Sequence, residues 1–345
     1  MHPDGKTLGS SDRALAQKCL YEFRGWFLGA YLVSESVAAQ TVTVAPSDVQ
    51  DDVVGTVFMD RLRERDVLGI AKSGRLVVRG NCTPSDLQKL FGMLHKLQEQ
   101  DGRILIDLDL SAVSGLIYID GFSRIVERRI PGTYRVSKER MRFGLWLLRS
   151  MVLPPTVVRI NDYAFAGWTN LEKIVLQEKI TKIGNYAFWQ CSELKSIVIP
   201  ESVTQIGDFA FADCTSLKKA TLPKALKTIE KNTFRNCSAL ESIVIPEGVT
   251  EIAANAFAEC TALKEVSLPK TLKTIGKRAF SGCNKLGSIV IPEGVTQIDN
   301  AFAGCTSLKE ITLPKTLKYF SYGASSNCRK LENIVIPEGV TRSHK

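Results

Sequence analysis

Ile183–Leu194 (IGNYAFWQCSEL) and Ile206–Leu217 (IGDFAFADCTSL) are two copies of one pattern, offset by 23 residues. The pattern continues in both directions, with a Phe, a Cys and a Leu spaced three residues apart. The Phe position holds Phe165, Phe188, Phe211, Phe234, Phe257, Phe280 and Phe302. The Cys position holds Trp168, Cys191, Cys214, Cys237, Cys260, Cys283, Cys305 and Cys328. The Leu position holds Leu171, Leu194, Leu217, Leu240, Leu263, Leu286, Leu308 and Leu331. A period in the twenties predicts a solenoid, in which each repeat forms one coil that cannot bury its apolar side alone.

Each coil is predicted to contain one short strand. Ile197–Ile199 is a β-branched run, and Pro200, which cannot donate a ladder hydrogen bond, ends it. Alternation directs the two isoleucines of this run into the core, while Ser196 and Val198 point outward. Stacked about 4.8 Å apart, eight such coils would form a sheet roughly 40 Å long.

One row of outward-facing side chains follows from this alternation. It consists of Val175, Val198, Thr221, Val244, Ser267, Val290, Thr312 and Val335. A flanking outward row, two residues earlier in each coil, consists of Lys173, Ser196, Lys219, Ser242, Glu265, Ser288, Glu310 and Asn333. Solenoids bind other macromolecules through such extended faces, so the sequence predicts partner binding on this face. The alternative is that Val and Thr only satisfy β-propensity on a sheet that contacts nothing.

The cysteines are predicted to be packing residues. Seven of the nine, from Cys191 to Cys328, occupy one position of successive coils. Zinc sites need two ligands a few residues apart and a second such pair, and the sequence has no C-x-x-C. Free Cys is a compact buried residue, and Trp168 occupies the same position, which favours packing over metal or disulfide chemistry.

The coils also alternate in pairs. Ile-Pro-Glu begins at residues 199, 245, 291 and 336, and Leu-Pro-Lys begins at 222, 268 and 313. The turns therefore carry Glu and Lys on neighbouring coils. We expect this alternation to remove the like-charge repulsion of a uniform row.

Residues 40–120 are predicted to form an N-terminal α/β cap that covers the first coil. Leu76–Val78 is a short β-type run, and Thr83 is a helix N-cap, with Pro84 at the first helical position. Leu87, Leu90, Phe91, Leu94 and Leu97 give that helix one apolar face. Arg103–Ser111 alternates like a half-buried strand, and a parallel strand–helix–strand unit fits the crossover rule.

Two further segments flank this cap. Residues 1–39 are a tail followed by either a weak secretory signal, with Val37–Ala39 as its cleavage site, or an amphipathic helix over Asp12–Ser34. Residues 121–150 are a basic connector that includes the start of the first coil. The basic side chains of this connector could bind phosphate or an acidic surface. Alternatively, they could be a solvated surface that covers the end of the solenoid.

No catalytic, cofactor or metal site is predicted. The three histidines are His2, His95 and His344, and no G-x-S-x-G, H-E-x-x-H or Walker loop occurs. Asp107 and Asp109 lie on one face of a strand and could mimic a carboxylate pair, but they are better explained as its solvent side. No nucleic-acid motif accompanies the net charge of +9. The longest apolar run of the N-terminal region, Gly25–Val33, is too short to span a membrane.

The coil pattern A-F-x-x-C-x-x-L-x-x-I-x-[IL]-P-x-x-[VL]-x-x-I resembles the BspA-like (treponemal-type) leucine-rich repeat family. Leu108–Ser111 (LDLS) is also similar to the segment that precedes such arrays. The resemblance implies an α/β-capped, mainly β solenoid of about eight coils of 22–23 residues, with a strand–helix–strand cap. It further implies a bacterial surface or secreted protein that binds host or matrix proteins or other cells, and it carries no catalytic residues.

The sequence thus predicts a leucine-rich repeat solenoid over residues 151–345 that binds a protein or another macromolecule at the cell surface. The alternative is an intracellular, cytoplasmic repeat scaffold. In the last coil Ser325 replaces the expected Phe. This coil is predicted to be uncapped, which would expose strand edges for self-association. A truncated gene product would also explain that coil.

Overall fold

The computed structural model describes residues 56–59, 63–100, 104–119, 147–332 and 334–342. They lie in the second of two units of the chain, Asp52–Lys345. The predictions for residues 1–51 and 121–146, which include the signal or amphipathic helix and most of the basic cluster, fall outside these ranges. The helices are α1 (Glu64–Ala71) and α2 (Pro84–Gln100), and a 3-10 helix covers Tyr322–Ser325.

All the strand pairs that the structure describes are parallel. The cap contributes β1 (Thr56–Phe58), β2 (Arg75–Asn81) and β3 (Ile106–Ser114). One set of solenoid strands comprises β5 (Leu148–Val152), β7 (Lys173–Val175), β9 (Ser196–Val198), β11 (Lys219–Thr221), β13 (Ser242–Val244), β15 (Glu265–Ser267), β17 (Ser288–Val290) and β19 (Glu310–Thr312). The other set, of two residues each, comprises β4 (Tyr118–Ile119), β6 (Arg159–Ile160), β8 (Lys182–Ile183), β10 (Gln205–Ile206), β12 (Thr228–Ile229), β14 (Glu251–Ile252), β16 (Thr274–Ile275), β18 (Gln297–Ile298), β20 (Tyr319–Phe320) and β21 (Thr341–Arg342). The predicted mainly β solenoid with a strand–helix–strand cap is confirmed.

The cap helix α2 begins where the sequence places it. The Thr83 hydroxyl accepts a hydrogen bond from the Asp86 backbone N–H at 3.3 Å, and Asp86 Oδ2 accepts one from the Thr83 backbone N–H at 3.1 Å. These reciprocal bonds satisfy donors that the first helical turn leaves unpaired. The predicted apolar face of α2 is buried. The short helix α1 was not predicted from the sequence; Val67 and Ala71 are fully buried among its described side chains.

The cap continues directly into the solenoid. Strand β3 pairs with β5, and one five-stranded sheet runs in the order β1-β2-β3-β5-β7. The indole of Trp168 packs edge-on against Phe91 of α2, with ring centroids 5.4 Å apart. Trp168 replaces Cys because the first coil meets a helix on this side instead of another coil. The larger ring fills the wider gap.

Side-chain alternation in the coils is as predicted. Ile197 and Ile199 are 2% exposed, whereas Ser196 and Val198 are exposed. Strand β9 starts at Ser196, one residue before the predicted run. Residues 334–336 of the last coil are not in a strand, which fits the irregularity expected there.

The continuous eight-strand ladder that the sequence predicted is interrupted. The strands join in twos, β9 with β11, β13 with β15 and β17 with β19. Each pair links an Ile-Pro-Glu coil to the Leu-Pro-Lys coil that follows it. In the first pair the Ile199 N–H donates to the Thr221 carbonyl at 3.1 Å, and Ile245 and Ile291 repeat this bond. In the longer strands the ladder bonds therefore follow the two-coil unit, whereas the shorter strands from β12 to β21 form one continuous six-stranded sheet across these units.

The alternating Glu and Lys turns make a backbone contact that the sequence did not predict. Glu201 Oε2 accepts a hydrogen bond from the backbone N–H of Lys224 at 2.9 Å. Glu247 and Glu293 make the equivalent bonds, each 3.1 Å long, to the coils that follow them. The carboxylate thus fixes the backbone of the next turn, and the reduced repulsion between like side-chain charges stays a prediction.

The solenoid core includes a row of buried Phe rings and a row of buried Cys side chains, among further rows of aliphatic residues. The rings from Phe165 to Phe302 stack with centroids 5.0 to 5.8 Å apart. Each thiol from Cys191 to Cys328 donates to the carbonyl of the Phe in the preceding coil, at 3.1 to 3.3 Å. The cysteines therefore pack as predicted and also satisfy a buried backbone acceptor.

Candidate ligand-binding face

The eight predicted binding residues are named here the outward row; seven of them lie on the exposed side of the longer solenoid strands, and Val335 lies in the last coil, outside a strand. They are Val175, Val198, Thr221, Val244, Ser267, Val290, Thr312 and Val335, and all are exposed. Val198 and Val244 are each 68% exposed, Val290 is 66% exposed and Val335 is 82% exposed. Val175, on the last strand of the five-stranded sheet, is 36% exposed. The fold thus brings these residues into one line and leaves their side chains in solvent.

The outward row alternates between apolar and hydroxyl-bearing residues. From Val198 onward, Val lies on the Ile-Pro-Glu coils, and Thr or Ser lies on the Leu-Pro-Lys coils. Successive valines are therefore two strands apart, about 9.6 Å at the usual strand spacing. Apolar contacts at this interval, separated by hydroxyl groups, suit a partner that offers both apolar and hydrogen-bonding groups.

The flanking row gives the face a charge gradient. Lys173 and Lys219 lie towards the cap, while Glu265 and Glu310 lie towards the C-terminal coils, and all four are exposed. The intervening coils carry the small residues Ser196, Ser242 and Ser288. Small neighbours leave the valines of those coils accessible from this side. The gradient would orient a partner of complementary charge.

The candidate carboxylate pair is engaged in structural contacts. Asp107 accepts hydrogen bonds from the Arg149 guanidinium and, at 2.7 Å, from the Ser150 hydroxyl. The hydrogen bond from Arg149 lowers the pKa of Asp107, which keeps this carboxyl ionised. Asp109 Oδ1 accepts from the Ser111 backbone N–H at 2.8 Å. These contacts agree with the interpretation of both residues as the solvent side of β3.

Burial shifts the pKa of other titratable groups in the described ranges. Burial lowers the pKa of His95, which lies against Gln98 and Glu99 of its own helix. Burial raises the pKa of the Cys260 thiol to about 12, so it holds almost no thiolate at neutral pH. Residues 56–59, 63–100, 104–119, 147–332 and 334–342 contain no cluster of three or more His, Cys, Asp or Glu suited to a metal ion.

Sequence reasoning missed a group of surface aromatic residues. Tyr163, Tyr186 and Phe209 occupy one position of three successive coils, and Trp189 lies three residues after Tyr186. The sequence contained a signal for this group, because four later coils carry Asn or Arg at the position of Tyr163, Tyr186 and Phe209. The strong repeat of the neighbouring core Phe concealed this variation.

Most of the basic connector falls outside the described ranges, but Arg149 lies within them and pairs with Asp107. At the other end of the solenoid, four apolar side chains are only partly buried against the core: Leu331, Ile334, Ile336 and Val340. Of the helices that the structure describes, neither is long and apolar enough to cross a membrane.

A family model and several solved structures are similar to the chain. A family model described as the BspA type leucine rich repeat region matches residues 142–253 and 227–345, with six copies. The comparison with curated proteins gave no match.

Solved structures of leucine-rich repeat proteins are similar to parts of the chain. A protein from Bacteroides ovatus is 24% identical over 58% of this chain and 75% of its own, with a TM-score of 0.38. The T. pallidum leucine rich repeat protein is 29% identical over 54% of this chain and 78% of its own, with a TM-score of 0.41. The pneumococcal vaccine antigen PcpA is 26% identical over 56% of this chain and 58% of its own, with a TM-score of 0.44. Since the family model covers more than half of the chain, the chain belongs to the BspA-type leucine-rich repeat family.

Proposed function

We propose that this is a non-enzymatic binding protein that recognises another protein with its outward row. The observation that carries the proposal is the exposure of Val198, Val244, Val290 and Val335, each about two-thirds exposed or more, in one line. Burying an exposed Val side chain against a partner contributes roughly 1.5 kcal/mol. Several in a line would supply a substantial part of a specific interaction.

The surroundings of the valines support this role. A protein interface commonly has an apolar centre within a polar rim, and its energy is concentrated in a few residues. Here the flanking serines and the charges of Lys219 and Glu265 border the valines on one side. The fold itself requires apolar residues only on the inward side of each strand. The competing explanation for the outward valines is that Val favours β-strands, without any contact to a partner.

We further propose that the protein acts at the cell surface or after secretion and binds host or matrix proteins, as the family resemblance implies. The alternative is an intracellular scaffold that uses the same face. The intact mass of the chain recovered from its native cells separates the two. Loss of about 39 residues, at Val37–Ala39, would support export, whereas a chain that begins at Met1 would favour the scaffold.

The binding face is tested by replacing Val198, Val244 and Val290 together with Glu. The variant and the native chain are compared by surface plasmon resonance against purified collagen, fibronectin and laminin. We expect any binding by the native chain to fall at least about tenfold, because the substitution places charge where apolar contact is needed.

A matched control adds the same charge on the other set of solenoid strands. Gln205, Thr274 and Gln297 are exposed there and are each replaced by Glu. Binding should survive in this control, and both variants should keep the native circular dichroism. Binding that is equally strong in the Val variant would refute the assignment of the outward row.

Self-association through the C-terminal coil is a separate proposal. The half-buried Ile334 and Ile336 would be covered by a second copy of that coil. Sedimentation at increasing protein concentration tests it. A chain that stays monomeric at high concentration contradicts it.

A further inference from the structure

Three successive coils carry an aromatic residue where the backbone favours Asn. Tyr163, Tyr186 and Phe209 have φ angles of 61°, 56° and 57°. Left-handed backbone of this kind is strained for bulky residues but tolerated by Asn. The same position in four later coils holds Asn232, Asn255, Arg278 and Asn300, with φ angles of 56°, 55°, 58° and 52°. The coil therefore adopts this turn without an aromatic ring.

The three rings form a short stack at the surface. The centroids of Tyr163 and Tyr186 are 4.8 Å apart, and those of Tyr186 and Phe209 are 4.7 Å apart, with interplanar angles of 2° and 7°. All three residues are half-buried. Because both faces of Tyr186 are covered by its neighbours, the stack presents ring edges to solvent.

Trp189 extends this stack to the side. Its ring is perpendicular to that of Tyr186, at 84°, with centroids 6.0 Å apart. Since the faces of Tyr186 are covered, the edge of Tyr186 points at one face of the indole. The adjacent coils carry Ala166 and Ala212 at the position of Trp189, so neither brings a large side chain over the indole.

A carboxylate and an amide hold the indole in place. Trp189 Nε1–H donates to Asp213 Oδ2 at 2.9 Å, and Asn236 Nδ2–H donates to Asp213 Oδ1 at 2.9 Å. This chain of hydrogen bonds fixes the indole orientation and lines up polar groups beside it. We name these six residues the aromatic cluster: Tyr163, Tyr186, Trp189, Phe209, Asp213 and Asn236.

The core does not require the aromatic cluster. The stack of core Phe rings continues at 5.4 and 5.5 Å on either side of Phe234, where the surface position holds Asn232. Strained residues that the fold can replace indicate a role in function. Tyr and Trp are enriched at binding interfaces, because each combines a large apolar ring with a polar group.

The chemistry of the aromatic cluster selects the ligand. A sugar ring offers a face of C–H groups that packs on an indole, and hydroxyl groups at its edge that bond to carboxylate and amide. The residue before each stacked ring is also polar, at Asp162, Asn185 and Asp208. Nucleic-acid bases would stack as well, but their phosphates need a positive groove and would meet these carboxylates. The same carboxylates disfavour sulfated or acidic glycans.

We propose that the aromatic cluster is a binding site for a neutral oligosaccharide, distinct from the outward row. The cluster covers four coils, about 14 Å at the usual strand spacing, which suits an extended chain of sugars. The site is independent of the protein-binding function proposed above. A chain with both sites would contact a protein and a glycan with different surfaces of one solenoid.

The test uses the full chain and four defined probes: cellohexaose, chitohexaose, maltohexaose and laminarihexaose. Binding is measured by isothermal titration calorimetry at millimolar probe. At least one probe should bind, and Trp189→Ala should weaken it about tenfold or more. Tyr186→Asn should weaken it as well, and it places at this turn the residue that later coils use, so the variant should fold.

The triple Val→Glu variant of the outward row should bind the same probe as the native chain does. That control separates this site from the proposed protein-binding face. The proposal is overturned if none of the four probes binds, or if binding persists in both Trp189→Ala and Tyr186→Asn. A lower melting temperature of Tyr186→Asn with unchanged binding would show that the stack is only structural, which also overturns it.

Discussion

Replacing Phe234 by Ala removes a fully buried ring from the middle of the core stack. Its centroid lies 5.4 Å from that of Phe211 and 5.5 Å from that of Phe257, and it is 0% exposed. Truncation of a buried Phe costs about 3–5 kcal/mol. Because this ring stacks on both sides, and each aromatic pair contributes about 0.5–1.5 kcal/mol, we expect the upper end of that range.

Phe302 provides the matched comparison. It is equally buried and stacks on Phe280 at 5.8 Å, but the next coil offers Ser325 at this position. Phe302→Ala therefore loses one stacking partner, and we expect it to destabilise the chain by about 1 kcal/mol less than Phe234→Ala. Urea unfolding followed by circular dichroism measures both free energies, with the slope checked for a single transition.

Phe234→Ala should therefore destabilise the chain more than Phe302→Ala does. Equal losses in the two variants would mean that stacking adds nothing beyond burial. A larger loss in Phe302→Ala would mean that the end of the solenoid limits stability. Either result would refute the nearest-neighbour account of the core.

Three further predictions follow from individual contacts. Glu247→Ala should lower the free energy of unfolding by about 1 kcal/mol in urea, because it removes the acceptor for the next turn, whereas Lys270→Ala should change it little. The Cys260 thiol, with its pKa raised to about 12, should react with a thiol reagent at pH 8 only on unfolding, and the half-buried Cys328, at about 11, should react sooner. The lowered pKa of Asp107 adds to the free energy of unfolding above its ordinary pKa of 3.8, and this contribution is lost as the pH falls below that value. Asp107→Asn should remove this pH dependence of the unfolding free energy from acid titrations.

Each of these predictions has a contrary outcome. Equal effects of Glu247→Ala and Lys270→Ala would mean that the charges of the turns, and not the hydrogen bond to the backbone, decide their contribution. Rapid labelling of Cys260 in the folded chain, located by mass spectrometry, would show that the thiol row opens. An unchanged acid transition in Asp107→Asn would mean that the ion pair with Arg149 contributes nothing to folding.

The sequence alone determined the repeat, the inward and outward faces and the start of the cap helix. These features are periodic or local. Ile197 and Val198 alternate because successive strand residues point to opposite sides, and Thr83 begins a helix because its side chain accepts from a nearby amide. Because the coil pattern recurs so many times, the sequence identifies the repeat unambiguously, and the match to the family model confirms it.

Only the tertiary structure decided which groups meet between coils. The pairing of Ile199 with Thr221, the bond from Glu201 to the next turn and the contact of Trp168 with Phe91 all join residues from different coils or from coil and cap. The repeat period predicts that the coils stack. It does not predict which backbone amide a side chain contacts, because this contact depends on the small offset between neighbouring turns. The aromatic cluster likewise appears only when residues 23 or more positions apart are placed side by side.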